Sequence, residues 1–388
     1  MIPEIIIRNA PALLIAVPML AAFITPAIAK AGNGVMKAWA LLATAATAAI
    51  AGIVAWQVLD VGTIVYTFGA AAPDIAVPLD SGGIPVRIIF TIDAMGAFMG
   101  IIAAISGFAV CLYAIASERR QTGQEIFFAL LLLLEVGILG MVSTGDLFNF
   151  FVFLEINAIA GAALISYRIR GGLSVEAAMK YGFISTLGGL IVLTAIGLLY
   201  GQYGALNIAM IASRMQFTAL DGIAFAMLVA ALAMKAGAVP MHFWTPDAYG
   251  LAPSSVTAFL VVSSQASLYG LFRIVFSLYG GIVQSLDWTT VGWIVIVLGV
   301  LSMFVGVTMA IPQHDVKRLM AYHCISQTGY MLLGVGVGIA LLGTPSFDTY
   351  GIVAMEGGIF HIFNNAMYKG LLFLTAGGRS STAPAPLT

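Results

Sequence analysis

Residues 126–167 read IFFALLLLLEVGILGMVSTGDLFNFFVFLEINAIAGAALISY. Two apolar runs, 126–144 and 146–167, are each long enough to span a hydrocarbon core of about 30 Å. Thr144–Gly145–Asp146 joins them in a tight turn. Glu135 lies nine residues before Thr144, and Glu155 lies nine residues after Asp146. At about 1.5 Å rise per residue, the two carboxylates are expected at about the same depth on antiparallel neighbours. A charge inside a membrane helix costs about 2.5–3.5 kcal/mol on insertion scales, so each is a candidate functional group. The alternative for either is a structural hydrogen-bonding group facing the bundle.

Outward from this pair, similar runs recur at about 10–29, 37–58, 93–116, 175–200, 220–241, 256–278, 288–311, 317–343 and 350–377. With the first two they make eleven expected spans. The composition agrees: of 388 residues 61% are hydrophobic and 9% charged, against roughly a quarter charged in an ordinary soluble domain. Mean hydropathy is +1.04. A soluble chain this apolar could not cover its own surface. Residues 1–379 read as one transmembrane domain, and Ser380–Thr388, rich in Ser, Thr, Pro and Ala, reads as a disordered tail. Arg8, the run after it and Ala27–Ile28–Ala29 also fit a signal peptide, but the run is long for one; it is kept as the first span. Residues 59–92, with Pro73, Pro78, Pro85 and β-branched Val86–Ile92, suggest a short hairpin over one membrane face. Leu206–Phe217 is amphipathic and is expected along the interface.

Lys and Arg set the orientation. One side collects Lys30, Lys37, Arg119, Arg120, Arg168, Arg170, Lys317, Arg318 and Arg379; the other has Arg8, Arg87, Arg214 and Arg273. Nine against four places the N-terminus outside and the C-terminus in the cytoplasm of a cell with an inner membrane. The net charge of −1 argues against a nucleic-acid partner. Cys111 and Cys324 are isolated, and four histidines without a cysteine cluster offer no iron–sulfur or structural zinc site. No metal and no cofactor is expected. His323 and His361, expected at similar depth, also fit a bis-histidine haem pair, but the glycine such a pocket needs is common everywhere here and gives that reading no weight.

The remaining charges lie within spans. Lys235 is followed by Pro240, which cannot donate to the carbonyl of Ala236, so the helix is expected to loosen there. Broken helices at membrane depth line protein-buried or watered cavities. Burial penalises an ammonium and a nearby carboxylate supports it, so such a lysine can load and release a proton as its partner moves. Lys180 enters its span about six residues in, where snorkelling is the rival explanation. His361, Asn365 and Lys369 recur at intervals of four and share one helix face, a polar stripe that fits a hydrated path. Glu356 and His323 are further polar groups at depth, and Ser263, Ser264 and Gln265 supply neutral donors and acceptors.

Three blocks carry a resemblance. Gly145–Asp146–Leu147–Phe148–Asn149–Phe150–Phe151–Val152–Phe153–Leu154–Glu155, the run from Lys235 through Pro240 to Ala248, and Asp315–Val316–Lys317–Arg318–Leu319 resemble the signature of proton-antiporter-like membrane subunits. His361 through Gly377, with Asn364, Lys369 and Leu371–Leu372–Phe373, is similar to a further block. That family includes the D subunit of Mrp-type sodium/proton antiporters, membrane subunits of energy-converting hydrogenases and antiporter-like subunits of respiratory complex I. The likeness covers about residues 90–378. It implies inverted five-helix repeats, each with a broken helix, and an ion site near the midplane. It assigns Glu155, Lys235 and Lys369 to the proton path.

Two departures stand out. Gln265 falls where the family usually carries a lysine or histidine; a neutral amide relays through water but holds no charge. Family members usually run to fourteen helices, whereas eleven are read here, one complete and one partial repeat. Either a separate chain supplies the rest, or the product is truncated, or the sequence simply ends early.

The expected function is proton translocation, with sodium as the alternative cation, by a subunit of a larger membrane complex driven by redox chemistry elsewhere. The alternatives are a Mrp-type secondary sodium/proton antiporter and a structural remnant that holds a complex together. The expected path comprises Glu155, Lys235, Lys180, Lys369, His361, Glu135, His323 and Gln265, with Pro240 at the helix break. The expected partners are other membrane subunits and the lipid bilayer.

Overall fold

The computed structural model describes residues 4–69, 88–118, 122–168, 172–280 and 287–382, with side chains to residue 377. Arg87, Arg119, Arg120 and Arg170 of the charge count, and residues 383–388 of the expected tail, lie outside the described residues, as does the side chain of Arg379. The chain is an all-α bundle: α1 (Glu4–Ile28), α2 (Asn33–Val61), α3 (Ala94–Ser117), α4 (Gln124–Ser143), α5 (Leu147–Ile165), α6 (Leu173–Tyr203), α7 (Ile208–Arg214), α8 (Ala219–Lys235), α9 (Trp244–Leu251), α10 (Ser254–Arg273), α11 (Trp288–Ala310), α12 (Val316–Leu341) and α13 (Ile352–Thr382). α13 thus continues three residues into the stretch expected as tail.

Among the described residues nine helices are long and apolar enough to cross a membrane. The two expected spans outside those nine are the two richest in chemistry. α8 stops after 17 residues, at Lys235. α13 carries the polar stripe, and Glu356, His361, Asn364, Asn365 and Lys369 interrupt its apolar run.

The described ends of the long connection pair as expected: β1 (Ile64–Thr67) runs antiparallel to β2 (Ile89–Ile92), Ile64 opposite Ile92. It lies over the α4–α5 turn, where Gly145 N–H donates to the Ile89 carbonyl at 2.9 Å. A Cβ on Gly145 would come within 2.3 Å of Thr91 Oγ1, so only glycine lets the hairpin approach. Asp146 caps α5 by accepting from Asn149 N–H at 2.8 Å, and Asn149 donates from Nδ2 to Thr144 Oγ1. Four residues of the quoted block therefore build a turn rather than a path. The segment expected along the interface contains the seven-residue helix α7.

α10 and α4 are the most enclosed helices. α5, α6, α8 and α9 gather beside them, α13 packs on α10, and α12 packs on α13 and α9. Everything chemically important below sits around α10.

Candidate functional site

α8 ends sooner than the sequence reading placed it. Pro240 is not where the helix fails. Gly237 adopts φ +79°, a left-handed conformation that glycine takes without a Cβ penalty. Gly237 N–H then donates to the Met234 carbonyl at 3.1 Å, and Ala238 N–H to the Ala233 carbonyl at 3.0 Å. This is a Schellman cap, after which proline commonly follows. Three supports hold the turned chain. Val239 N–H donates to Ser302 Oγ at 3.0 Å, Trp244 Nε1 donates to the Met234 carbonyl at 3.1 Å, and Lys317 Nζ donates to the Ala252 carbonyl at the far end of α9.

The cap puts Lys235 on the last residue of α8 and inside the bundle, its side chain 5% exposed. Its Nζ stands 3.3 Å from Glu155 Oε1, the expected pairing. Space for the pair comes from α6. A Cβ on Gly189 would lie 2.0 Å from Glu155 Oε1, and one on Gly188 would lie 3.3 Å from Lys235 Cε. The carboxylate thus rests against helix backbone, with no side chain between. Next to Lys235 lies a cavity lined by Asn157, Tyr181, Ser185, Ser263 and Ser264 and walled by Trp244 and Tyr249. Its volume is about 10 Å³, close to the room one water requires. Ser263 donates to Asn157 Oδ1 at 2.6 Å, and Tyr249 OH donates to Ser264 Oγ at 3.0 Å. Asn157 Nδ2 has no partner among the described residues. A hydroxyl-rich cavity with a spare amide donor, beside an ammonium, is a place for water.

Glu135 is not part of this pair. Gly137 packs on Asn157 and Gly140 on Phe153, so Glu155 is level with about residue 138 of α4 and Glu135 lies roughly one turn, about 5 Å, further from the α4–α5 turn. The equal-depth expectation fails because the helices pack through these small residues out of symmetric register. Glu135 faces α3 instead, where a Cβ on Gly107 would meet its Oε1 at 2.8 Å. It is buried, and both its oxygens lack a hydrogen bond among the described residues.

Lys180 is also elsewhere. Its side chain is 44% exposed and joins Glu176 Oε1 at 2.8 Å and Asp247 Oδ2 at 2.9 Å. Asp247 in turn pairs with Arg318 at 3.3 Å, so the cluster ties α6, α9 and α12 together at one end of the bundle. Glu356 faces outward on α13. Gln265 is buried on α10 with neither amide atom bonded among the described residues.

The stripe on α13 turns inward: Asn365 and Lys369 are buried and His361 is half-buried. Gln327 of α12, which the sequence reading passed over, organises it. Gln327 Nε2 lies 3.2 Å from His323 Nδ1, while its Oε1 lies 2.7 Å from His361 Nε2 and accepts from Tyr368 OH at 2.6 Å. Lys369, 2% exposed, has no ion pair among the described residues; its ammonium lies 5.6 Å from the Tyr368 ring centre. Arg273, counted in the sequence only for orientation, holds Asp93 through NH1 and NH2 at 2.6 and 2.8 Å. That pair clamps α10 to the first turn of α3, where Asp93 is also the cap.

A multi-pass membrane bundle with a broken helix and a buried Lys–Glu pair beside a polar cavity has the architecture of antiporter-like membrane subunits. Residues 144–383 match the family model described as NADH:quinone oxidoreductase/Mrp antiporter, TM. The chain belongs to this family. It is 35% identical over 306 residues to NADH-quinone oxidoreductase subunit N of Desulforudis audaxviator, covering 76% of this chain and 57% of that protein. It is 32% identical over 307 residues to the D subunit of the Na(+)/H(+) antiporter of Alkalihalophilus pseudofirmus, again 76% and 57%. Its fold matches a chain of the membrane-bound sulfane sulfur reductase, an archaeal respiratory membrane complex. The TM-score there is 0.80 at 29% identity, covering 95% of this chain and 71% of that one. The chain thus spans less than two thirds of the length of these curated relatives.

Proposed function

We propose that this protein moves protons, with sodium as the alternative cation, across the membrane as an antiporter-like subunit of a redox-driven complex. The observation that carries the reading is the Lys235–Glu155 contact of 3.3 Å at the end of a broken helix, beside a hydroxyl-lined cavity. Lys235 loses a proton readily when Glu155 moves away and regains it when the carboxylate returns, because each charge makes the other tolerable inside the bundle. Glu155 and Lys235 form the coupled core of the path. His361, His323 and Lys369 continue it along α12 and α13, and Gln265 is a neutral water-bridged step. Glu135 is a separate buried proton-holding group, and Lys180 is an entry-side residue paired with Asp247.

Relatives named for a quinone oxidoreductase and for a sodium/proton antiporter stand at similar identity, so a Mrp-type secondary antiporter is the second reading. Proteins copurifying with the tagged chain decide between them: iron–sulfur or nickel–iron proteins favour the redox pump, and their absence favours the antiporter. The ends carrying Arg168 and Lys317–Arg318 face the cytoplasm in this account, with the chain in the inner membrane and its N-terminus outside. Single cysteines placed there are expected to resist impermeant thiol reagents in intact cells; labelling from outside would reverse the orientation. Transport itself is tested by pH-gradient formation in vesicles holding the whole complex, normalised to its amount. Lys235→Ala is expected to abolish most of the gradient. Wild-type rates would make the subunit a structural element.

A further inference from the structure

His323 and His361 sit on different helices and share one amide. His361 Nε2 meets Gln327 Oε1, and His323 Nδ1 meets Gln327 Nε2. The amide has an acceptor end and a donor end, whereas an imidazolium presents only donors at both nitrogens. In the orientation above, His361 can be cationic, since its Nε2–H still donates to the carbonyl oxygen. His323 must then be neutral, because its Nδ1 has to accept from the amide N–H. If the amide is rotated by half a turn, the carbonyl oxygen faces His323 and the N–H faces His361. Now His323 can be cationic and His361 must accept. Two imidazolium rings leave one N–H pointing at another in either orientation. The rule therefore does not depend on which way round the amide sits.

We propose that Gln327 makes His323 and His361 a single-proton pair, in which the amide's orientation decides which ring carries the charge. Gln327 is a positioning residue: it takes no proton, and it disfavours the doubly protonated state. Tyr368 biases the resting orientation, since its hydroxyl donates to the same Oε1 as His361 and would have to become an acceptor after rotation. The proton therefore rests on the α13 side and passes to the α12 side when the amide turns. This use in ion movement rests on the function proposed above; the exclusion itself does not.

Other charges around the pair are few. Lys369 of α13 is buried about two turns beyond His361 on the same helix. Tyr330 of α12 stacks edge-on to His361, 5.8 Å between centres, and Tyr249 of α9 is engaged with Ser264. Cys111 and Tyr113 are the titratable groups of α3. α11 carries none. On α10, Arg273 and Tyr269 are engaged with each other and Asp93, and Asp247 of α9 is engaged with Lys180 and Arg318. Asp348 and Tyr350, before α13, are exposed. No carboxylate among the described residues bonds either imidazole and masks the amide's effect.

The test is a histidine titration of the full chain in lipid vesicles, read by solid-state NMR of ¹⁵N-histidine. His323→Asn and His361→Asn assign the two resonances, and the unchanged signals of His242 and His314 report a folded chain. In the wild type only one of the two rings is expected to become imidazolium as the pH falls through the histidine range. The second is expected to follow at least about one pH unit lower, the shift that a lost hydrogen bond of roughly 1.4 kcal/mol produces. Gln327→Glu accepts from both rings and is expected to bring the two midpoints together at higher pH. Gln327→Met removes the N–H that opposes the second proton and is expected to raise its midpoint as well. Coincident midpoints in the wild type would overturn the proposal. So would a second midpoint unmoved in whichever of the two variants folds.

Discussion

Two buried lysines are accommodated in opposite ways. Lys235 has a carboxylate 3.3 Å away, ends a broken helix and opens onto a polar cavity. Lys369 lies in the middle of an unbroken helix with no carboxylate bonded to it among the described residues, near an aromatic face and a chain of neutral amide, hydroxyl and imidazole groups. The first arrangement ties the charge of one group to that of its partner. The second leaves the lysine to neighbours whose dipoles can turn but whose charge need not change. On the proposed function, a proton held at the first centre is released by moving a carboxylate, and near the second it is handed over by reorienting neutral groups.

The largest effect is expected from changing what Lys235 can release. Lys235→Arg keeps a positive charge beside Glu155 but stays protonated, so gradient formation in vesicles is expected to fall about as far as in Lys235→Ala. Substantial pumping by Lys235→Arg would mean that the charge matters there and the proton does not, and the contrast with Lys369 would collapse.

Gly189→Ala sharpens the comparison without touching an ionisable group. The new methyl would sit 2.0 Å from Glu155 Oε1, and overpacking of this kind typically costs about 1–3 kcal/mol. The carboxylate is the movable party, so the variant is expected to assemble and to pump at roughly a tenth of the wild-type rate or less. Gly197→Ala on the same helix, where a Cβ meets nothing within 4 Å, is expected to behave as wild type.

Stability should separate the two lysines next. Lys369→Met removes a buried cation and strands no carboxylate, so the thermal midpoint of the solubilised complex is expected to stay or rise. Lys235→Met strands Glu155 and is expected to lower it, by an amount on the order of 1–3 kcal/mol. Equal shifts would show that the two sites are not different in kind. The smallest effect is expected at Asp93→Asn. It weakens the Arg273 clamp by about 1–2 kcal/mol, lowering the midpoint by a few degrees while the transport rate per assembled complex stays near normal.

Much of this was legible in the chain. The apolar runs led to the bundle, the proline- and β-branched-rich connection to the strand pair, and the intramembrane charges with the resemblance blocks to the Lys235–Glu155 pair. The break beside Lys235 is expected from Pro240, but the span read from the sequence runs to residue 241; Gly237, two residues after Lys235 and with proline after it, is the stronger stop signal. Glu135 and Lys180 lie away from the Lys235–Glu155 pair, and depth counted along each helix separately does not show this. Glycine-mediated register and the Asp247 partner belong to packing between helices. Gln327 carried a readable signal, four residues after His323 on the same helix face. Gly188 and Gly189 carried none, since glycine is frequent everywhere here. Asp93 and Arg273 lie 180 positions apart, and no local pattern joins them.

The central claim is that Glu155 and Lys235 act as one unit. A double-mutant cycle on pH-gradient formation tests it, with Glu155→Gln, Lys235→Ala and both together in vesicles of the whole complex, normalised to its amount. Each single change is expected to remove most of the activity, and the double variant is expected to pump no worse than the weaker single, because both interrupt one path. Losses that multiply in the double variant, or a single variant that pumps at the wild-type rate, would contradict the account.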